Sequence, residues 1–109
     1  MAMFKDFDLH ADILRGVEKL GFEKPTEIQK EAIPYLLESD QDLIALAQTG
    51  TGKTAAFGLP LLQKISSKES DVQAIILCPT RELCMQLAKD LESYSKFMDR
   101  FNILAVYGG

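Results

Sequence analysis

Three short apolar runs constrain the fold of this chain more than any other feature: residues 43–47 (LIALA), 72–78 (VQAIILC) and 103–107 (ILAVY). Each is too short for a helix, and each begins about 30 residues after the one before, with a helical pattern in every gap. Strands at this spacing pair in parallel through helical crossovers, and such strands are buried on both faces. The pattern therefore predicts an α/β chain with a parallel sheet covered by helices. Three central strands make a poor complete sheet, so a truncated sheet is expected, with self-association through its exposed edges as one outlet.

The helical stretches are read from apolar spacings of three and four. Residues 9–20 place Ile13, Leu14, Val17 and Leu20 on one face, and Gly21 supplies a stop. A second helix is expected from Thr26 or Glu27 to Glu38, started by Pro25 and Thr26, kinked at Pro34, and burying Ile28, Ala32, Ile33 and Leu36. A third should start near Lys53 with Ala55, Ala56, Leu59 and Leu62 inward and Pro60 bending it. The fourth should run from Arg81 or Glu82 to about Met98, with Leu83, Leu87, Leu91, Tyr94 and Met98 inside.

The residues that carry chemistry lie where the first apolar run meets the third helix. Residues 47–54 read AQTGTGKT and end on the G-K-T of a Walker A motif, with Ala47 where that motif has its first glycine. Gly50 and Gly52 let the backbone curl so that successive N–H groups face a β-phosphate, and the helix N-terminus adds partial positive charge. Lys53 would set a point charge against the β- and γ-phosphates, and the Thr54 hydroxyl would ligate Mg²⁺. A plain strand-to-helix turn with a solvated lysine is the bland alternative.

Composition narrows the setting. With 109 residues, 47% hydrophobic and 26% charged, the chain is an ordinary globular domain or part of one, and disorder is excluded. A net charge of −4 argues mildly against nucleic-acid binding, although a phosphate-binding face can be local. No apolar run is long enough to span a bilayer and the start lacks a secretory pattern, so a cytoplasmic location is expected. Cys78 and Cys84 stand without the further ligands that an ordinary zinc site needs, and are read as structural or incidental.

From Phe4 to Gly109 the sequence resembles the N-terminal part of the first RecA-like domain of DEAD-box RNA helicases. Residues 21–29 (GFEKPTEIQ) look like the adenine-recognising Q motif, residues 47–54 match motif I with its alanine, residues 79–83 (PTREL) match motif Ia, and Gly108-Gly109 match the GG motif. The resemblance implies a three-layer αβα P-loop NTPase fold of the RecA-like type, truncated. It divides the chain into a Q-motif helical region, 1–38, and the start of the P-loop α/β core, 42–109.

The family implies a role for each matched residue. Gln29 would read the adenine edge through its amide, and Phe4 would pack on the base, with Phe7 more at home in the core and Phe22 supporting the loop. Ala47, Thr49, Gly50, Thr51, Gly52, Lys53 and Thr54 would hold ATP, with Lys53 and Thr54 the members nearest catalysis and Thr54 the one metal ligand. Thr26 could serve the nucleotide site or simply cap its helix. Pro79, Thr80, Arg81, Gly108 and Gly109 would meet the RNA backbone, although Arg81 could instead pair within the fold and the glycines could merely turn the chain. The family's water-activating carboxylates, SAT motif and second domain would follow Gly109, so this chain alone is not expected to hydrolyse ATP efficiently. An adenine-nucleotide-binding module or regulatory fragment without catalysis is the alternative, and an α/β piece that binds nothing tightly is the bland one.

Overall fold

Among the described residues, four α-helices form where the apolar spacing is three and four: α1 (Ala11–Lys19), α2 (Glu27–Glu38), α3 (Lys53–Lys64) and α4 (Arg81–Tyr94), preceded by a 3₁₀ turn at Phe4–Asp6. The computed structural model describes residues 3–47, 52–65, 68, 71–99 and 102–108.

The helix ends are set by local chemistry. After α1, Gly21 takes φ 86°, and its N–H donates to the Glu18 carbonyl at 3.0 Å while that of Phe22 reaches the Val17 carbonyl at 3.0 Å. This paired closure satisfies two terminal carbonyls and needs the left-handed conformation that glycine adopts without strain. Thr26 starts α2 and Thr80 starts α4, each hydroxyl accepting the N–H three residues on, worth about 1 kcal/mol apiece. α2 and α3 continue through Pro34 and Pro60, each at the expense of one intrahelical hydrogen bond.

The core lies among the four helices. Ile13, Val17, Ile33 and Leu59 are fully buried, each burial stabilising the fold by on the order of 2 kcal/mol. Two glycines permit the close approach to α4. A Cβ on Gly16 would strike the Tyr94 carbonyl, and one on Gly58 would sit 2.9 Å from Leu91 Cδ2. An aromatic chain joins the lead-in to α4: Phe4 to Phe22 at 5.5 Å between ring centres, and Phe22 to Tyr94 at 6.0 Å. The α4 stripe is buried only in its second half. Leu91 and Tyr94 meet α1 and α3, whereas Leu83, at 47% exposure, projects past both. Leu20 is also exposed, because α1 ends at Lys19 and the Gly21 turn carries the chain away.

The expected sheet is not present. Among the described residues there is no β-strand, so the three-layer αβα P-loop (RecA-like) architecture with a parallel sheet is overturned, and self-association through sheet edges goes with it. A strand is defined by its ladder, and residues 43–47, 72–78 and 103–107 exchange no backbone hydrogen bonds with one another. Burial alternates along residues 74–78 and 103–106: Ile76 and Ile103 lean on the helical core, while Ile75, Leu77, Leu104 and Val106 face outward at 76–90% exposure. The apolar pattern recorded a preference for burial, and in this structure one side of residues 74–78 and 103–106 satisfies it against helices, whereas Ile44 and Leu46 stand 90% and 92% exposed.

Candidate functional site

The N-terminus of α3 is the centre of the site. Gly52 is its N-cap at φ 85°, ψ 25°, and a glycine has no side chain with which to cap this end. The first-turn N–H groups of a helix lack intrahelical acceptors, and they point where an anion would be held. Glycine is required at position 52 for two reasons. Its backbone is left-handed, and a Cβ would land on Gln29 Nε2 and lie 3.1 Å from Thr26 Oγ1.

Among the described residues, Gln29 is the one polar side chain in the buried set, at 4% exposure. Its Oε1 accepts the Thr26 N–H at 2.9 Å, and its Nε2 donates to the Gly52 carbonyl at 3.0 Å. The Thr26 hydroxyl in turn accepts the Gln29 N–H at 3.4 Å, closing a capping box. The amide orientation is set by its partners, since an N–H can only donate and a carbonyl can only accept. Each half of the amide keeps one further bonding position, one lone pair and one N–H. The Gly52 carbonyl also accepts the Ala56 N–H at 3.2 Å, so Gln29 adds a second donor to an acceptor already in use.

Around this latch the other candidate residues fall as follows. Lys53, the first residue of α3, is exposed, Thr54 is half-buried, and Ala47 is half-buried where the chain approaches the loop. Thr49, Gly50, Thr51 and Gly109 lie outside the described residues. Phe4 is 2% exposed, in edge contact with Phe7 at 5.6 Å, and its N–H is bound to the Glu23 carbonyl at 3.0 Å. The ring is thus tied to the segment that leads into α2.

A second group gathers at the start of α4. Pro79 and Thr80 form the exposed corner, and Thr80 Oγ1 accepts the Leu83 N–H at 3.2 Å. Arg81 Nη2 donates to the Gly108 carbonyl at 2.8 Å, and its guanidinium carbon lies 5.2 Å from the centre of the Tyr107 ring. One turn on, the Cys84 thiol reaches the Val106 carbonyl at 3.9 Å. Residues three apart share a helix face, so Arg81 and Cys84 hold residues 106–108 from one side of α4. The structure therefore brings Arg81 and Gly108 together across 27 positions of sequence. The parts played by Cys84, Tyr107 and Gln63 were not read from the sequence. For Cys84 the three-residue spacing from Arg81 was the available signal. For Tyr107 and Gln63 there was none, because their partners are a distant guanidinium and backbone groups.

The DEAD/DEAH box helicase family model matches residues 26–109, and the chain belongs to that family. It is 50% identical over 111 residues to the ATP-dependent RNA helicase CshA of Listeria monocytogenes, covering 100% of this chain and 21% of that protein. Among solved structures, the RNA helicase Prp28 from Chaetomium thermophilum, bound to ADP, superposes with a TM-score of 0.87 at 38% identity, covering 100% of this chain and 27% of that one. Dbp5 of S. cerevisiae, bound to RNA and ADP BeF3, gives a TM-score of 0.83 at 38% identity, with 87% of this chain and 25% of that one covered. The chain spans about a fifth of the length of the curated relatives it matches.

Proposed function

We propose that this chain carries the adenine-nucleotide site, and part of the RNA-contacting surface, of an ATP-dependent RNA helicase that separates short duplexes. The observation that carries this reading is the Gln29 amide, which spans the Thr26 N–H and the Gly52 carbonyl at the start of α3. An adenine edge offers one N–H donor and one ring-nitrogen acceptor, the complement of the lone pair and N–H that Gln29 retains. Next to it, the cradle at Gly52 admits no side chain and suits close approach of a phosphate group. Ala47 and residues 49–52 would line the phosphates, Lys53 would bind the β- and γ-phosphates, and the Thr54 hydroxyl would ligate Mg²⁺. The bound Mg²⁺ would offset phosphate charge. For Phe4 the reading requires the ring to turn one face out of its packing against Phe7 and Phe22.

On the same reading Arg81 presents a guanidinium to the RNA backbone. Its bond to the Gly108 carbonyl fixes the plane of the guanidinium. Pro79, Thr80 and Gly108, with Gly109 beyond, would lie along the same backbone. For the chain taken alone, adenine-nucleotide binding without turnover is the activity to expect, because it spans so small a share of its relatives.

Calorimetric titration with ADP and with GDP, each with Mg²⁺, tests the reading. Saturable binding of ADP with little of GDP is expected, and Gln29→Ala should narrow the gap. Equal affinity for both nucleotides in the unaltered chain would refute the role given to Gln29.

A further inference from the structure

The lead-in before α1, the end of α2 and the end of α3 enclose a cleft of about 370 Å³, and none of its lining residues belongs to the proposed nucleotide or RNA sites. Its apolar walls are Phe7, Pro34 and Leu37, all half-buried, and its rim carries the exposed side chains of Asp6, Asp8 and Glu38. Gln63 fixes one side: its amide accepts the His10 N–H and donates to the Asp8 carbonyl, both at 2.8 Å. Among the described residues no cation opposes the three carboxylates. The ion pairs lie elsewhere, Lys30 with Glu27 and Lys64 with Asp40. Asp6 engages one oxygen with the Met3 N–H at 2.9 Å, and the carboxylates of Asp8 and Glu38 have no partner.

We propose that this cleft is a docking site for an arginine side chain of a partner protein. Its volume lies at the small end of the roughly 300–1,000 Å³ that ligand pockets span, which suits one long side chain better than a whole peptide. The charge on the rim calls for a cation and repels the phosphates of a nucleic acid. Among the described residues no three acidic, histidine or cysteine side chains are grouped to hold a metal ion, so the carboxylates are spaced for a larger cation. The apolar walls then select its kind. An arginine stem covers Pro34 and Leu37 while its head stays at the mouth. A guanidinium is planar, less strongly hydrated than an ammonium and rich in N–H donors, so it can bond to two carboxylates while it rests on the Phe7 ring. The wall that receives it is already built, because Gln63 holds the backbone on either side of Leu9 in place.

The test follows the backbone N–H signals of the whole chain by heteronuclear NMR during titration with the blocked peptide acetyl-Gly-Arg-Gly-amide. Saturable shifts centred on Phe7, Asp8, Leu37 and Glu38 are expected. The citrulline peptide keeps the shape of arginine without its charge and should bind roughly tenfold more weakly, with the lysine peptide between the two. Asp8→Asn and Glu38→Gln should each weaken the arginine peptide by roughly two- to fivefold. Glu18→Gln removes the same charge from α1, outside the cleft, and should leave the affinity unchanged. Shifts without saturation, shifts scattered over the acidic surface, or a citrulline peptide that binds as well would each overturn the proposal. So would spermidine binding as tightly at the same residues, or a loss on Glu18→Gln as large as that on Glu38→Gln. No nucleotide or RNA takes part in the assay, so its outcome is independent of the helicase reading.

Discussion

Gln29→Glu separates the two jobs that the structure gives this side chain. The introduced carboxyl has the length and shape of the amide, and one oxygen can still accept the Thr26 N–H. When protonated, its O–H can also donate to the Gly52 carbonyl, so near pH 4 the variant should match the unaltered chain to within about 1 kcal/mol. Once ionised, it has no donor for Gly52 and sets an anion beside a carbonyl oxygen at a position only 4% exposed. Burial and that carbonyl raise the carboxyl above its unfolded value of about 4.3; a rise of about two units corresponds to about 2.7 kcal/mol. The Thr26 N–H and the partial positive charge at the start of α2 return about 0.5–1 kcal/mol. The net deficit at pH 7.5 is therefore about 2 kcal/mol.

The sign follows from linkage. A folded-state pKa above the unfolded one favours the fold at low pH, and that advantage is lost as pH rises from about 4 through about 6. Urea unfolding followed by far-ultraviolet circular dichroism, on both chains at steps from pH 4 to 8, measures the difference directly. A variant as stable as the unaltered chain at pH 7.5 would show that the bond from Gln29 to Gly52 contributes nothing. A deficit constant across the range would mean that shape, and not the donor, is what position 29 requires.

Burial, and then the Asp90 charge, push the Tyr94 phenol up to about 12. Its folded pKa lies above the unfolded value of about 10, so on the order of 2 kcal/mol should be lost as pH rises from about 10 to 12; Tyr94→Phe should flatten that limb of the urea-unfolding profile, and an unchanged limb would count against the assignment. Lys53→Ala should weaken ATP binding roughly tenfold or more while leaving adenosine binding unchanged, because an ammonium bonded to phosphate contributes about 1.5–3 kcal/mol. Equal calorimetric losses for the two ligands would remove Lys53 from the phosphates. Gly16→Ala drives a methyl into the Tyr94 carbonyl and should destabilise the chain by about 2–3 kcal/mol. An unaltered thermal midpoint would show that α1 and α4 do not cross closely at that glycine.

Helix positions were legible in the sequence wherever the signal was local. Thr26 and Thr80 are caps whose hydroxyls find N–H groups three residues on, and Gly21 closes α1 through bonds that span only a few positions. The apolar runs were legible as apolar but not as strands. A ladder is a relation between segments about 30 residues apart, and nothing within residues 72–78 states whether a partner's N–H groups are in register. The same limit applied to α4, where Leu83 and Leu91 share one stripe but only Leu91 has α3 beneath it. In the site, the glycine turn was singled out by residue type, and Gln29 by the resemblance of residues 21–29 to the family's adenine motif. Their direct bond was not, because an amide of glutamine carries no mark of which carbonyl it will meet.

Glutamine does similar work twice around α3, and the repetition explains how a site forms on a chain with no described sheet to position it. Near the end of α3, Gln63 accepts the His10 N–H at 2.8 Å and donates to the Asp8 carbonyl at 2.8 Å. At its start, Gln29 makes the corresponding pair of bonds to Thr26 and Gly52. An amide suits this task because it offers one donor and one acceptor in a fixed plane, so a single side chain can join two backbone groups of opposite sense. The lead-in that carries Phe4 and the helix that carries Gln29 are thus both registered against α3, the helix that presents Lys53 and Thr54. Lys64 extends the grip by donating to the Ser39 carbonyl at 3.3 Å, just beyond α2. Gln29 and the start of α3 are therefore fixed against one another. The corner at Arg81 and Gly108 joins them through α4, where Leu91 and Tyr94 rest on Gly58.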